Sequence, residues 1–425
     1  MNILVLSNFY PPHYLGGYEL GCRDVVEGLR KRQHRVVVLT SRHGSRVSGE
    51  DRVYRTLHSA YDWQPRFGWR HASRLLHREI VDCRAFQSVV MRHAPDIVYV
   101  WNLWSLPLSL LAAAHQSGKP VVHFVSDMHM TRWDSDPWYR LLDATPPLKW
   151  KRALVQKAAA TAAHFGWLTS ARCADLANAH FASEYLRDAY IGMGFRLQRA
   201  EVIHWGVADA WFGTTPPHNG PLRLLCAGRV SREKGIETAI EALGHVTRWS
   251  PEARATLTIV GGSGPADYEE DLRNLVPKLG LGDRVSFVRK LDRISMRDMY
   301  ARHNVFVLPS VWQEPFSIAL LEAMASGLVP VGTLTGGTSE ILQAEVTGLV
   351  FGPGDAQACA SQLRRLVEDQ ELLRSLGERA RSTVRERFRL EAMLARVEES
   401  LRTTLGASAG SAWDASQTRK AVASR

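Results

Sequence analysis

Apolar residues along the chain come in short unbroken runs, separated by longer stretches in which they recur every three or four positions. "NILVLS" opens the chain as a buried strand, and "YELGCRDVVEGLRKRQ" after it reads as an amphipathic helix. "HRVVVLTS", "PDIVYVWN" and "KPVVHFVS" are further strands, and "SRLLHREIVDCRAFQSVVMRH" among them is helical in period. Strands alternating with helices predict a parallel sheet covered on both faces. Near 211–221, "WFGTTPPHNGPL" is rich in Gly, Pro and polar residues and reads as a linker. The pattern then restarts. "LRLLCAGR", "ATLTIVGG", "RVSFVRKL", "VFVLPS" and "LVPVGT" read as strands, with "KGIETAIEALGHV" and "PADYEEDLRNLVPKLG" as helices among them. The expected fold class is α/β with two tandem Rossmann-like domains, residues 1–212 and 213–388. Residues 389–425 supply a helix, "MLARVEESLRTTL", expected to return toward the N-terminal domain, and a flexible polar tail.

Length and composition agree with two soluble domains: 425 residues, 45% hydrophobic and 23% charged. Five cysteines are scattered without a C-x-x-C pair, which points to a reducing compartment rather than a zinc site or a disulfide framework. The N-terminus lacks the charged region and cleavage site of a signal peptide, so a cytoplasmic protein is expected. No apolar run is long enough to span a membrane. The net charge of +10 is uneven: residues 1–215 carry 26 Lys+Arg against 18 Asp+Glu, and the remainder carries 27 against 25. A basic, aromatic-rich first half suits an anionic surface or an acidic substrate. The basic residues follow no nucleic-acid-binding module, so no nucleic-acid partner is expected.

In doubly wound sheets ligands sit beyond the carboxyl ends of the strands, and two such domains with facing ends make a cleft. The candidate motifs all follow strands. In "SVWQEPFSIALLEAMASGLVPV", Glu314 and Glu322 are eight apart, and Pro315 predicts that a helix starts just beyond it. The N–H groups of Phe316, Ser317 and Ile318 would then face a ligand, as helix N-termini do with phosphate or sugar oxygens. A carboxylate can accept two hydroxyl hydrogen bonds at once, which suits sugar diols. In "CAGRVSREKGIETAIEAL", Arg229 ends a strand and Lys234 precedes a helix, a fork and a point charge placed to clamp a diphosphate. The Walker A spacing is absent. "VGGSGP" and "TGGTSEIL", with Gly336, Gly337 and Glu340, are glycine-rich turns. No D-x-D-type metal site stands in a plausible loop, and no metal or separate cofactor is expected.

These elements, in their order, resemble the retaining glycosyltransferases of family 4, which have the GT-B fold of two Rossmann-like domains facing across a cleft. The resemblance is strong over residues 222–350 and looser before. It implies a nucleotide-sugar donor, UDP- or GDP-linked, held mainly by the second domain, and a glycan, glycolipid or small-molecule acceptor held by the first. Arg229 and Lys234 would contact the diphosphate, Glu322 the ribose and Glu314 the transferred sugar. The loop "NFYPPHYLGGYE" would bring Gly16 and Gly17 close to the donor phosphates, with Pro11 and Pro12 stiffening its approach.

The sequence departs from the family's usual pattern in three places. Ser126-Asp127 stand where His-Asp is common, with His123 three residues earlier and His129 two later; Asp127 is carried over as a catalytic residue. "VIHWGVAD" replaces the usual Asn-Gly-Val-Asp, putting His204 and Trp205 there. Arg289 stands where glycine is common, near the usual base-binding strand.

The expected reaction is metal-independent front-face transfer with retained anomeric configuration. A nucleotide-sugar epimerase of the same fold and a non-catalytic sugar-nucleotide-binding protein are the alternatives. Residues 70–93 carry Leu75, Leu76, Ile80, Cys83, Phe86 and Val90 on roughly one face, interleaved with Arg70, Arg74, Arg78 and Arg84. Such a helix either packs on its own sheet or rests peripherally on the inner face of a membrane. The Met- and Trp-bearing segment 127–150 is a second candidate for an acceptor pocket or a membrane contact.

Overall fold

A computed structural model describes residues 1–44, 51–59, 69–107, 109–129, 176–195, 197–262 and 264–410. The chain divides into two compact units, one of residues 1–182, 187–203 and 394–425, the other of residues 183–186 and 204–393. Most of segment 127–150 and the tail beyond residue 410 lie outside the described residues.

The first unit is built on a parallel sheet of β1 (Asn2–Leu6), β2 (Arg35–Ser41), β3 (Val53–Leu57), β4 (Ile97–Val100), β5 (Val121–Val125), β6 (Asn178–Phe181) and β7 (Arg199–Val202). Their order is β3-β2-β1-β4-β5-β6-β7. Leu4 of β1 pairs with Val37 on one side and Val98 on the other. β1 and β4 are buried almost throughout, as unbroken apolar runs in a sheet covered on both faces should be. The helices are α1 (Gly17–Lys31), α2 (Trp69–His93), α3 (Ser109–Gln116) and, from Arg187 onward, α4 (Glu184–Gly192).

The second unit repeats the plan with β8 (Arg223–Arg229), β9 (Thr256–Gly262), β10 (Val285–Arg289), β11 (Val305–Leu308), β12 (Val329–Gly332) and β13 (Leu349–Val350), ordered β10-β9-β8-β11-β12-β13. Its helices are α5 (Ile236–Trp249), α6 (Ala266–Lys278), α7 (Arg293–Ala301), α8 (Ile318–Ala325), α9 (Ala356–Glu368) and α10 (Gln370–Arg387). Asp355 and Asp369 cap α9 and α10, their carboxylates accepting from the N–H groups of Ala358 and Leu372 at 2.8 Å. In each sheet the order reverses once, between β1 and β4 and between β8 and β11. Those are the switch points at which α/β sheets bind ligands.

The final helix, α11 (Leu390–Gly410), belongs to the first unit from Leu394 onward. Leu394 packs against Gly28 of α1 so closely that a Cβ there would lie 2.3 Å from its side chain. Ser400 joins a buried chain of hydrogen bonds. His180 links the Tyr99 hydroxyl (2.9 Å) to the Ser400 hydroxyl (2.9 Å), and Ser400 donates to Glu201 (2.6 Å). Because the Glu201 carboxylate only accepts, the chain runs one way: Tyr99 donates to Nδ1 of His180, and Nε2 donates to Ser400.

The structure corrects the expected face of α2. Leu75 and Phe86 are buried, together with Val89, whereas Leu76 and Ile80 are 43% exposed. The inward stripe also holds Glu79 and Asp82, whose polarity hides it from a hydrophobic count. No described helix is long and apolar enough to cross a membrane.

Candidate functional site

Lys234 and Glu314 follow β8 and β11, the strands on either side of the second sheet's switch point. Lys234 closes a 3-10 turn, Arg232–Lys234, ahead of α5. Gly235 then adopts a left-handed conformation (φ 59°), and a Cβ there would lie 2.2 Å from the Pro309 carbonyl oxygen. Only glycine allows that approach, which lays the loop against the end of β11. The Val311 N–H donates to the Glu233 carbonyl at 3.0 Å and completes the contact. Lys234 Nζ consequently reaches Glu314 Oε1 at 2.6 Å. The Ser310 hydroxyl donates to the same oxygen. Lys234 Nζ also lies 5.5 Å from the centre of the Trp312 ring. The indole Nε1 of Trp312 is buried with no hydrogen-bond acceptor among the described residues.

Glu314 is 3% exposed and held from behind by the glycine turn. Gly336 has φ 54°, and a Cβ on it would meet the Glu314 carbonyl oxygen at 2.3 Å. The Gly337 N–H donates to that oxygen at 2.7 Å, and the Gly336 N–H to Gln313 at 2.6 Å. Glu340, at the end of the turn, accepts from His204 Nε2 (2.7 Å) and from the N–H groups of Glu184 and Tyr185 (both 3.0 Å). Burial would raise the Glu340 carboxyl, but these hydrogen bonds outweigh it and hold the group below the usual range. His204 stacks on Phe316 at 5.5 Å and meets Phe388 edge-on. It therefore braces the turn behind Glu314.

The helix foreseen after Pro315 begins at Ile318, with Ser317 as its N-cap accepting from the Leu320 N–H at 3.3 Å. Phe316 is buried beneath His204. Glu322 lies one turn into α8 beside Tyr300, whose hydroxyl is pushed well above its usual range by burial and then by the Glu322 carboxylate. Arg229 is the most open member of the group. Its side chain is 54% exposed and 3.6 Å from Glu233.

In the first unit, Gly16 caps α1, after β1, and its N–H donates to Glu19 Oε2 at 3.0 Å. That N–H is engaged within the chain, where the sequence suggested one aimed at a ligand. Glu19 is 3% exposed, and burial raises its carboxyl. Arg55 donates to the carbonyls of Tyr10 (2.8 Å) and Pro11 (2.5 Å), bracing the loop ahead of Gly16 and Gly17. Asp127 follows β5. Its carboxylate accepts from the N–H of His129 at 3.0 Å and contacts the His129 ring, and its carbonyl accepts from Tyr190 at 3.0 Å. Tyr18 lies between these groups, its hydroxyl donating to the Phe124 carbonyl and its ring 6.3 Å from that of His129. His123 is a core residue of β5, 2% exposed, and burial holds its imidazole well below the usual range.

Each unit thus gathers its sequence-predicted residues at the carboxyl ends of strands flanking or near its switch point. Sequence reasoning missed Ser310, Trp312, Gln313, Tyr18 and Glu19. Their adjacency to Glu314 and Gly16 in sequence was the available signal.

Two family models cover most of the chain. That of glycosyl transferases group 1 matches residues 208–383, and that of glycosyltransferase family 4 matches residues 15–211. The chain is 35% identical over 175 residues to N-acetyl-alpha-D-glucosaminyl L-malate synthase of Bacillus anthracis, an alignment covering 41% of this chain and 44% of that one. It is 36% identical over 161 residues to sulfoquinovosyl transferase SQD2 of Arabidopsis thaliana, covering 37% and 29%. The chain therefore spans less than half the length of these curated relatives. Among solved structures, sucrose-phosphate synthase from Thermosynechococcus elongatus superposes with a TM-score of 0.71 at 22% identity, covering 96% of this chain and 99% of that one. Anabaena HepE in complex with UDP-glucose gives 0.69 at 21% identity, covering 95% and 100%. These two likenesses are of fold.

Proposed function

The chain belongs to the family 4 glycosyltransferases of GT-B fold, and from that premise we propose that it transfers a sugar from a nucleoside-diphosphate sugar to an acceptor hydroxyl, with retention at the anomeric carbon. The observation that carries this reading is the Lys234–Glu314 pair, 2.6 Å apart at the carboxyl ends of the two strands beside a switch point. A cation for phosphate and a buried carboxylate for sugar hydroxyls stand together where this fold class binds ligands. The donor is UDP- or GDP-linked; a protein of the same fold holds UDP-glucose.

In this reading Lys234 exchanges Glu314 for the donor's diphosphate, and Arg229, open to solvent, takes the other side of it. Glu314 is then freed for the hydroxyls of the sugar, with Ser310 still fixing its orientation. Glu322 binds the ribose, and Asp127 orders the acceptor. The bond from the anomeric carbon to the phosphate oxygen breaks as the acceptor oxygen bonds on the same face. The acceptor proton passes to the leaving phosphate oxygen. Charge grows on the diphosphate, where Lys234 and Arg229 stabilise it. No protein nucleophile and no metal take part. The acceptor is a glycan, a glycolipid or a small molecule, met by a cytoplasmic enzyme that can stand on the inner face of a membrane.

The test is incubation with UDP- and GDP-sugars and candidate acceptors, with the product's anomeric configuration read by NMR. Retention is expected, and inversion would contradict the mechanism. Turnover of the donor without any acceptor would favour an epimerase. Glu314→Ala should lower kcat by about two orders of magnitude or more, the scale of removing one transition-state contact, with its circular dichroism unchanged. A fully active variant would sink the site assignment.

A further inference from the structure

At the carboxyl end of β3 the first unit holds a histidine locked in one orientation with a nitrogen to spare. His58 directly follows β3, and both its N–H and its ring meet Asp82 of α2. The N–H reaches the two carboxylate oxygens at 3.1 Å each, and Nδ1 lies 2.7 Å from Oδ1. Asp82 is fully buried, and burial raises its carboxyl although the His58 contacts and Arg42 pull the other way. An ionised carboxylate only accepts, so Nδ1 carries the proton and Nε2 of the neutral ring is a bare acceptor. Nε2 has no hydrogen-bond partner among the described residues, and the side chain keeps 12% of its surface open.

Two guanidiniums stand beside this pair. Arg42 follows β2, and its N–H donates at 2.9 Å to the carbonyl of Leu57, the residue before His58. Arg78 is one helical turn before Asp82 in α2. It is partly buried and makes no ion pair with a described carboxylate. Burial and then the charges of Arg42 and Arg74 lower it, and Asp82, already engaged by His58, offsets them only in part. The loop after β4 is tied to the same place. Ser105 is fully buried yet left-handed (φ 69°), a strained conformation for a residue with a Cβ, and its hydroxyl lies 2.7 Å from that of Ser59, the neighbour of His58. Because β4 borders the switch point, this bond draws the His58 group toward the ligand-binding end of the sheet.

We propose that His58, Arg42 and Arg78 form a subsite for an acceptor that carries a phosphate monoester and neighbouring hydroxyls, the chemistry of a sugar or polyol phosphate. The two guanidiniums pair with the phosphate, whose double charge suits two cations better than a carboxylate does. His58 Nε2 accepts from one hydroxyl, which leaves its neighbour to react and to give its proton to the departing phosphate. Asp82 is a positioning residue, since it sets the tautomer and direction of the ring. A His–Asp pair serving only to tie α2 to β3 would need neither an open Nε2 nor a half-buried arginine short of counter-charge. A bare anion would leave Nε2 idle. The inference rests on the glycosyltransferase reading for its purpose, and it names the class of acceptor.

The test is calorimetric titration of the full chain, without donor, with glycerophosphate, ethyl phosphate, glycerate and glycerol. Glycerophosphate is expected to bind about fivefold more tightly than ethyl phosphate, the worth of one neutral hydrogen bond. Glycerate should bind more weakly still, and glycerol not at all. Arg78→Ala should weaken both phosphates at least about tenfold, the loss of a charge-assisted contact. Its thermal midpoint should stay unchanged, because Arg78 has no carboxylate partner to lose. Asp82→Asn, which frees the ring to take its other tautomer, should erase the preference for glycerophosphate and leave ethyl phosphate bound as before. A purely structural role for Asp82 would weaken both phosphates alike and overturn the assignment of His58. No binding of glycerophosphate, equal binding of glycerol, tighter binding of glycerate, or undiminished binding by Arg78→Ala would each overturn the proposal. So would binding lost in Lys234→Ala, since that phosphate would then sit with the donor residues. Binding that depends on Arg78 and not on Lys234 would stand even if the transfer reading failed.

Discussion

Gly16 is extended (φ −152°), a conformation open to any residue, and a Cβ on it would meet nothing within 4 Å. Gly235 and Gly336 differ, since their left-handed backbones and close carbonyls explain them from within. Among the described residues, nothing occupies the space in front of Gly16. Gly16→Ala should therefore leave the thermal midpoint unchanged, and a lowered midpoint would contradict the open space around it. Arg229, Lys234 and Glu314 were legible in the sequence because each sits in a strand–loop–helix junction with its own punctuation. The His204–Glu340 pair was not. Its partners are 136 residues apart, and only the folded chain brings the ring against Phe316.

Among elements, the central strands were legible because burial on both faces makes them unbroken apolar runs. β3, β6, β7 and β13 were missed. "VYRTL" and "RAEV" lie half-open to solvent, "NAHF" carries a polar residue at a buried position, and β13 is two residues long. The polar residue in β6 is His180, whose imidazole is pushed down to about 3 by burial and next by Arg396. Its neutral ring links β6 to α11 through Ser400. In the unfolded chain the same group takes a proton near pH ~6.5. Between those values the unfolded state binds more protons, so this contribution is complete above pH ~6.5 and declines as the pH falls toward 3. Urea midpoints should be lower at pH 5 than at pH 7.5, and His180→Gln should show a smaller difference. An equal difference in the variant would contradict the assignment.

At the scale of the whole molecule, alternation of strands and helices, one linker and a restart were enough to read two Rossmann-like units. What periodicity left out was the route of the chain between them. Residues 183–186 belong with the second unit and those from 394 onward with the first, and such returns depend on tertiary packing. The residues assigned to the leaving diphosphate are side-chain cations, so transfer should persist in excess EDTA. Activity lost on chelation and restored by Mg²⁺ or Mn²⁺ would overturn metal independence.

The central claim is that Lys234 and Glu314 hold a nucleotide-sugar donor. Its most direct test is calorimetric titration of the wild-type protein and Lys234→Ala with UDP, GDP and their common sugar conjugates. The account predicts selective binding of one nucleotide by the wild type and an affinity at least about tenfold lower in the variant, as loss of a charged phosphate contact implies. No binding to any of them, or equal binding by the variant, would contradict it.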